Sequence, residues 1–316
     1  MKSLITAFIV IICGIHSFDF SSQGDVLDLV YSLENKEYTI DELQGIVSSN
    51  FHEPDSVAKF FYYWMALNIE YDYSLKGLVV SDQYENSYYY DQLSPQNVYE
   101  NRKAVCSGYA RLFKYFLNHF DIECEVVSGY SKTQDKLFDE KVQIDHVWNV
   151  LKIADEWYLV DVTWASSTKQ DKEVTSFYYK TPPGLFILSH LPVDEQWQLT
   201  RKKVEIETFR EMPHITFKYY DLGFGSCVPT IKDEDGDYTI TIGKSDKWTA
   251  TVKVSNIEEG TFIGVRVEKN TSGPSQELHF SLDTKKPLII RLDAYRIDED
   301  KGTLFQEPEL AYFVLK

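Results

Sequence analysis

A run of apolar residues at helical spacing, between residues 106 and 120, constrains the fold of this 316-residue chain more than any other feature. From Tyr109 onward, apolar and aromatic side chains recur at i+3, i+4, i+7, i+8 and i+11. That spacing predicts an amphipathic helix with one broad buried face. Three β-rich runs follow, at 123–130, 144–153 and 157–164, and the last two are separated by a hairpin. We therefore expect a packed α+β domain.

Two further helices are indicated upstream. Residues 39–42 have the form of a capping box, so a short helix is expected to begin at Ile40. After Pro54, apolar residues between 57 and 67 again recur at helical spacing and predict a helix with a buried face.

The remaining segments divide the chain into regions. Residues 71–96 are polar, tyrosine-rich and aperiodic, which predicts a long surface loop. From about residue 205, short alternating segments separated by Gly, Asn and Asp predict a small β-sandwich. We place the α+β domain at 18–204 and an accessory β-sandwich domain at 205–316.

The first residues resemble a targeting signal. Lys2 is followed by an apolar run from Leu4 to Ile15, which is too short to span a bilayer and fits the core of a signal peptide. We predict a signal peptide at 1–17, a secreted or periplasmic location, and no stable membrane insertion once the signal is removed. A transmembrane anchor is the alternative, and the length of the run disfavours it.

Charge and motifs narrow the range of partners. The chain has 49 acidic and 32 basic residues, and its net charge of −17 would repel nucleic acid. It contains no glycine-rich phosphate loop, and no cofactor is implied. His190 is an improbable metal ligand because no second His or Cys stands at ligand spacing, so no metal is expected.

Three cysteines remain after removal of the signal: Cys106, Cys124 and Cys227. An odd number in an exported protein implies at least one unpaired thiol. Cys124 and Cys227 either form a disulfide or remain buried as small apolar residues.

Cys106 stands where a thiol becomes chemically useful. The N–H groups and dipole of a helix N-terminus stabilise a thiolate and an oxyanion beside it. Such a nucleophile needs a histidine partner, and His146 lies within an ordered strand pattern. On the next predicted strand, Asp161 can orient the second imidazole nitrogen.

The hairpin register decides whether His146 and Asp161 share a face. A tight turn centred on Asp155 would place them on opposite faces of the sheet. A two- or four-residue loop, or a β-bulge, would bring them to the same face. We predict a bulge or a longer loop at this turn.

Five blocks of sequence resemble the transglutaminase-like superfamily, nearest to its kyphoscoliosis-peptidase-like branch and similar exported bacterial proteins. They are AVCSGYARLF at 104–113, HVWNV at 146–150, WYLVDVTW at 157–164, WMALNIEYD at 64–72, and FILSHLP at 186–192 with WQL at 197–199. The resemblance implies a papain-like α+β core in which the Cys-bearing helix packs on an antiparallel sheet. It also implies a catalytic triad of Cys106, His146 and Asp161.

The family adds a side-chain oxyanion donor to the backbone N–H of the cysteine. Gln96 and Trp64 are weak candidates for that donor in this sequence. His190, Trp197 and the Pro182-Pro183 pair are expected to close the core under the sheet.

These features predict an exported cysteine enzyme that attacks amide or peptide carbonyls of a protein or peptide substrate through a thioester. The reaction is a peptidase, deamidase or acyl-transfer reaction. An alternative is a non-catalytic module that retains the fold and binds peptide or cell-wall material. A third hypothesis is an enzyme whose Cys106 is covered by the 71–96 segment. In each case the β domain is expected to bind a protein or cell-wall partner or to position the core.

Overall fold

A computed structural model of the chain describes residues 21–33, 36–80, 86–137, 143–170, 173–225, 227–256, 261–282 and 288–315. The predicted signal peptide at 1–17 lies outside these residues. No helix in the described ranges is long and apolar enough to cross a membrane.

The N-terminal half combines helices with one antiparallel sheet. Its helices are α1 (Ser21–Ser32), α2 (Ile40–Asn50), α3 (Pro54–Asn68), α4 (Tyr73–Val80), α5 (Asn86–Gln92), α6 (Pro95–Asn101), α7 (Cys106–His119), α8 (Val162–Ser167) and α9 (Pro183–Phe186). Its strands are β1 (Glu70–Tyr71), β2 (Lys103–Ala104), β3 (Cys124–Ser131), β4 (His146–Ile153), β5 (Glu156–Val160), β6 (Tyr179–Thr181) and β7 (His190–Pro192). The last five form one sheet in the order β6-β5-β4-β3-β7, while β1 and β2 pair in parallel beside it.

The C-terminal half is mainly β. Two short helices, α10 (Ile206–Glu211) and α11 (Phe217–Asp221), lead into it. Its strands are β8 (His214–Ile215), β9 (Thr230–Glu234), β10 (Asp237–Gly243), β11 (Thr249–Asn256), β12 (Ile263–Gly264), β13 (Glu268–Ser272), β14 (Ser275–Ser281), β15 (Leu288–Asp298) and β16 (Thr303–Leu315). They form two sheets, β13-β14-β10-β9 and β12-β11-β15-β16-β8, which enclose a shared apolar core.

This architecture confirms the predicted fold class, an α+β core with the Cys-bearing helix on an antiparallel sheet, followed by a β-sandwich. The α7 helix packs on β3 and β4, as its amphipathic pattern predicted. Phe116 on its buried face stacks on Phe61 of α3, with ring centroids 4.2 Å apart. The capping box at Thr39 and Glu42 is formed as expected and starts α2 at Ile40. The boundary between domains at 204/205 stays a prediction.

The prediction of a long loop at 71–96 is wrong. The segment contains α4 and α5 and the start of α6. The Asp72 carboxylate accepts a hydrogen bond from the Leu75 N–H at 2.9 Å, and Ser94 caps α6. Leu75 and Leu93 pack with Val105 in a small buried cluster, so tertiary contacts stabilise helices too short to show a periodic pattern.

The strand predicted at 157–164 is also wrong in its second half. The strand ends at Val160, and Asp161 becomes the N-cap of α8 because its side chain accepts from the Trp164 N–H at 2.9 Å. Likewise, the β character expected from residue 205 is limited before β9 to the two-residue strand β8, which lies between α10 and α11. Val and Thr are compatible with a strand or a first helical turn, so capping decided the outcome at Asp161.

Candidate active site

The hairpin between β4 and β5 has a two-residue turn. Ile153 pairs with Glu156, and the turn residues Ala154 and Asp155 both have positive φ. This is one of the loop lengths that bring residues 146 and 161 to the same face, whereas the bulge or longer loop that we predicted is not formed here. Positive φ at both positions matches a type I′ turn, and the aspartate tolerates that conformation.

The His146 imidazole meets the Asp161 carboxylate as the sequence predicted. Its Nε2 donates to the Asp161 Oδ2 at 2.6 Å, and both side chains are buried. Burial lowers the pKa of His146, but the charge and hydrogen bond of Asp161, with smaller contributions from Cys106, raise that pKa to about 10. The His146 and Asp161 side chains therefore form a buried imidazolium–carboxylate pair at neutral pH.

Cys106 is the first residue of α7 and is only partly buried. Its N-cap, Val105, makes no side-chain cap, so the leading N–H groups of the helix remain available to an anion. A Cβ added at Gly108 would lie 2.9 Å from the Cβ of Ala104, so glycine permits the close approach of β2 to this helix turn.

A hydrogen bond between helix and sheet aligns the start of α7 with the start of β4. The Asn149 Nδ2 donates to the carbonyl of Ala110 at 3.0 Å. Cys106 lies one turn, about 6 Å, before Ala110, and His146 lies about 10 Å before Asn149 along the strand. Cys106 contributes to the raised pKa of His146, which agrees with a position of both residues where α7 and β4 begin.

The two other cysteines differ from Cys106. All three are free, so the disulfide between Cys124 and Cys227 is not formed. Cys124 is buried, which raises the pKa of its thiol to about 12. Cys227 is exposed in the C-terminal half, so the prediction that it is buried as a small apolar residue is wrong.

His190 is a site residue that the sequence reasoning did not place. It is fully buried at the start of β7, and its Nε2 donates to the same Asp161 Oδ2 at 3.0 Å. Its Nδ1 lies 2.8 Å from the hydroxyl of Ser189. The expectation that His190 closes the core agrees with its burial, but nothing in its local sequence signals the contact with Asp161.

The ligand atoms of His146, Asp161 and His190 lie within 4.8 Å of one another, a grouping that could attract a metal ion. Tetrahedral zinc at bond lengths near 2.0–2.2 Å would separate neighbouring ligand atoms by roughly 3.3 Å. The Nε2–Oδ2 distance of His146 and Asp161 is 2.6 Å, which fits a direct hydrogen bond between two oppositely charged groups.

Both predicted oxyanion donors have contacts with other residues, so their role at Cys106 stays a prediction. Trp64 is buried, stacks on Tyr99 and contacts the Phe116 ring. Phe116 lies ten residues, about 15 Å, along α7 from Cys106. The Gln96 side chain donates to Glu100 on α6 at 2.5 Å.

Tyr71 lies near the thiol of Cys106, which acts on its phenol. It pairs with Ala104 in the short parallel ladder that leads directly into α7. Burial and the charge of Cys106 raise the pKa of the Tyr71 phenol, so it keeps its proton.

Gly129 in β3 is required for the packing around His146. It pairs with His146 on one side and with Pro192 on the other. A Cβ at this position would lie 2.3 Å from the carbonyl oxygen of Leu191 and 2.4 Å from the Trp148 ring.

We expect Gly129→Ala to lower the free energy of unfolding by about 3 kcal/mol, because neither the backbone of Leu191 nor the buried Trp148 ring can move freely. Gly45→Ala, at an exposed α2 position with nothing within 4 Å of the added methyl, should instead stabilise by up to about 1 kcal/mol. Urea unfolding of both variants tests this. Equal effects at the two positions would contradict the packing argument.

Comparisons with known proteins agree with the motif resemblance. Residues 43–162 match a family model described as the transglutaminase-like superfamily. The kyphoscoliosis peptidase of Homo sapiens is 27% identical over 231 residues, covering 70% of this chain and 34% of the relative. The Mus musculus kyphoscoliosis peptidase is 28% identical over 214 residues, covering 64% and 31% respectively. The chain thus spans about a third of the length of these curated relatives.

A solved structure, described as a crystal structure of a TGase, is also similar. It is 20% identical with a TM-score of 0.31, over 49% of this chain and 34% of that one. The family-model and curated matches confirm the predicted resemblance to the superfamily and to its kyphoscoliosis-peptidase-like branch.

Proposed function

Because residues 43–162 match the transglutaminase-like family model, we propose that this chain is a cysteine enzyme in which Cys106 attacks amide or peptide carbonyls. The observation that supports this most directly is the buried 2.6 Å bond between His146 and Asp161, beside the helix end that presents the thiol. A pair of this kind orients an imidazole and stabilises its protonated form.

The chemistry follows from these groups. The Cys106 thiolate attacks the carbonyl carbon, and the C–N bond breaks as the His146 imidazolium gives its proton to the leaving amine. The product is a thioester on the Cys106 sulfur. Water or a second amine then attacks the thioester, His146 takes a proton from that nucleophile, and the thiolate leaves. Release to water is peptidase or deamidase chemistry, and release to an amine is acyl transfer.

The proposed test is labelling with iodoacetamide and with the activated ester p-nitrophenyl acetate, read by peptide mass spectrometry. Cys106 should react at least about tenfold faster than the exposed Cys227, because its thiolate is stabilised by the helix N-terminus and by His146. His146→Ala should remove most of that advantage.

Cys106→Ala and Cys227→Ala are the matched controls. Only the first should abolish steady ester turnover. If Cys106 reacts no faster than Cys227 and His146→Ala makes no difference, the enzyme proposal fails and the non-catalytic binding module is favoured. With a peptide mixture and an amine-bearing reporter, incorporation of the amine distinguishes acyl transfer from hydrolysis.

Within this proposal, Tyr71 supplies the side-chain donor of the oxyanion hole. Its position beside Ala104 and its protonated phenol support this role. We expect Tyr71→Phe to lower the acylation rate by about 10²-fold, since one donor to the developing oxyanion is lost.

Tyr73→Phe is the control for that variant, because the exposed Tyr73 ring packs 4.9 Å from the Tyr71 ring. Acylation rates are measured with p-nitrophenyl acetate. A Tyr71→Phe enzyme as fast as the Tyr73→Phe enzyme would exclude the phenol as donor.

Export and partner binding remain proposals that rest on sequence. We propose cleavage near residue 17 on export, which the N-terminal sequence of the mature protein would test. The β-sandwich is proposed to bind a protein or cell-wall partner, and a pull-down with 205–316 against peptidoglycan and peptide arrays is the corresponding assay.

A further inference from the structure

We propose that His190 is a positioning residue. Its neutral imidazole donates a hydrogen bond that fixes the Asp161 carboxylate, and the fixed carboxylate orients His146. The inference rests on the proposed function, because it concerns how the same site is set up. His190 lies outside residues 43–162, the part that matches the family model.

The hydrogen bonds determine the tautomer of His190. The Asp161 carboxylate is ionised and can only accept, so the His190 Nε2 at 3.0 Å must carry a proton. A neutral ring then has an unprotonated Nδ1, which accepts the hydroxyl proton of Ser189 at 2.8 Å. The Ser189 hydroxyl also lies 3.5 Å from the Phe186 carbonyl oxygen, but its contact with Nδ1 is the shorter one. The Ser189–His190–Asp161 chain therefore donates toward the carboxylate.

A neutral donor suits this position. Burial lowers the pKa of His190 to about 4, despite the nearby Asp161. An Arg or Lys here would share the negative charge of Asp161 with His146 and weaken the hold on the imidazolium. A neutral imidazole donates a hydrogen bond to the carboxylate but does not neutralise it, so the negative charge of Asp161 still attracts the His146 imidazolium.

The ring of His190 has little room to turn. It stacks on Phe186 with centroids 4.0 Å apart and lies 4.3 Å from the Trp164 ring centroid. Asp161 itself is fixed on its other oxygen, where Oδ1 accepts from the Trp164 N–H at 2.9 Å. Two donors on two elements therefore hold the carboxylate, and its remaining interaction is directed at His146.

The position in the sheet explains how residues so far apart in sequence meet. β3 lies between β4 and β7, with Gly129 paired to His146 and Ser131 paired to His190. The two imidazole centroids are 5.4 Å apart across this strand. Gly129 carries no side chain to separate them.

The test uses the full chain with His190→Phe, which keeps a flat ring against Phe186 but removes both nitrogens. Phe186→Leu is the control that changes packing on the same ring and removes no donor. His190→Gln restores an N–H donor without an imidazole. The readouts are solvent exchange of the His146 Nε2 proton by imidazole ¹⁵N NMR, and kcat and KM for p-nitrophenyl acetate.

We expect His190→Phe to speed exchange of the His146 proton at least about tenfold and to lower kcat about 10- to 100-fold with KM little changed. His190→Gln should recover part of both, and Phe186→Leu, which keeps the donor but loosens the ring, should change both less than His190→Phe does after correction for the folded fraction. Unchanged proton exchange in folded His190→Phe would overturn the proposal. Wild-type protein without Cys106-dependent turnover would refute the proposed function instead, while the NMR result would still decide the role of His190.

Discussion

Asp161→Asn should reduce Cys106-dependent turnover by about 10³- to 10⁴-fold with little change in KM. The equivalent change in a Ser-His-Asp triad costs about 10⁴ in kcat, because the NH2 group of the amide faces the imidazole as a donor and the wrong tautomer forms. Asp161 meets the same condition, since its Oδ2 accepts from His146 at 2.6 Å.

The same variant should change the titration of His146. Without the carboxylate, burial lowers the pKa of the ring and only Cys106 raises it, so the pKa should fall well below 10. Imidazole NMR titration measures this directly. Asp145→Asn is the matched control, because Asp145 precedes His146 but bonds to the Ser131 N–H and to Lys136 instead. A His146 pKa that stays near 10 in Asp161→Asn would contradict the ion pair.

Unfolding free energy should fall by several kcal/mol between pH 6.5 and pH 4. Burial lowers the folded-state pKa values of His190 and His214 from 6.5 to about 4. The unfolded chain therefore binds more protons than the folded chain in this window, so the stability present above pH 6.5 is lost as pH falls toward 4. Each histidine contributes up to about 3 kcal/mol, at 1.36 kcal/mol per pH unit.

Above pH 6.5, a raised rather than a lowered histidine pKa makes stability depend on pH. The folded-state pKa of His146 is raised to about 10, so its contribution is fully present below pH 6.5 and is lost as pH rises to 10. Burial lowers the pKa of Lys132 from 10.5 to about 7, which acts in the opposite direction, because the unfolded chain binds the extra proton between these pH values. The alkaline slope should therefore be shallower than the acid slope.

Urea unfolding at intervals from pH 4 to 10 measures both slopes. His214→Phe should flatten the acid slope, because it removes a buried histidine that faces Lys132 and Asp135 and lies beside the Tyr312 ring. His279→Phe, at a partly exposed position on β14, should leave the slope unchanged. An acid slope equal in all three proteins would show that buried histidines do not cause it.

Elements with a local signal could be predicted from the amino-acid pattern alone. The helical spacing after Tyr109 and the capping box at Thr39 predicted α7 and the start of α2, because periodicity and capping act within a few residues. It also identified the pairing of His146 with Asp161. A charged residue between valines is costly to bury without a partner, and the adjacent hairpin strand offered one.

The other features of the fold and the site depend on contacts between segments that lie far apart in the chain. The α4 and α5 helices are too short to be periodic and depend on packing around Val105. The chain becomes helical after Val160 because the Asp161 side chain accepts a hydrogen bond from the Trp164 N–H. The contact of His190 with that carboxylate joins residues 29 apart through β3, which no local pattern encodes. Local propensity extends over a few residues, whereas this site is assembled by strand order in the sheet.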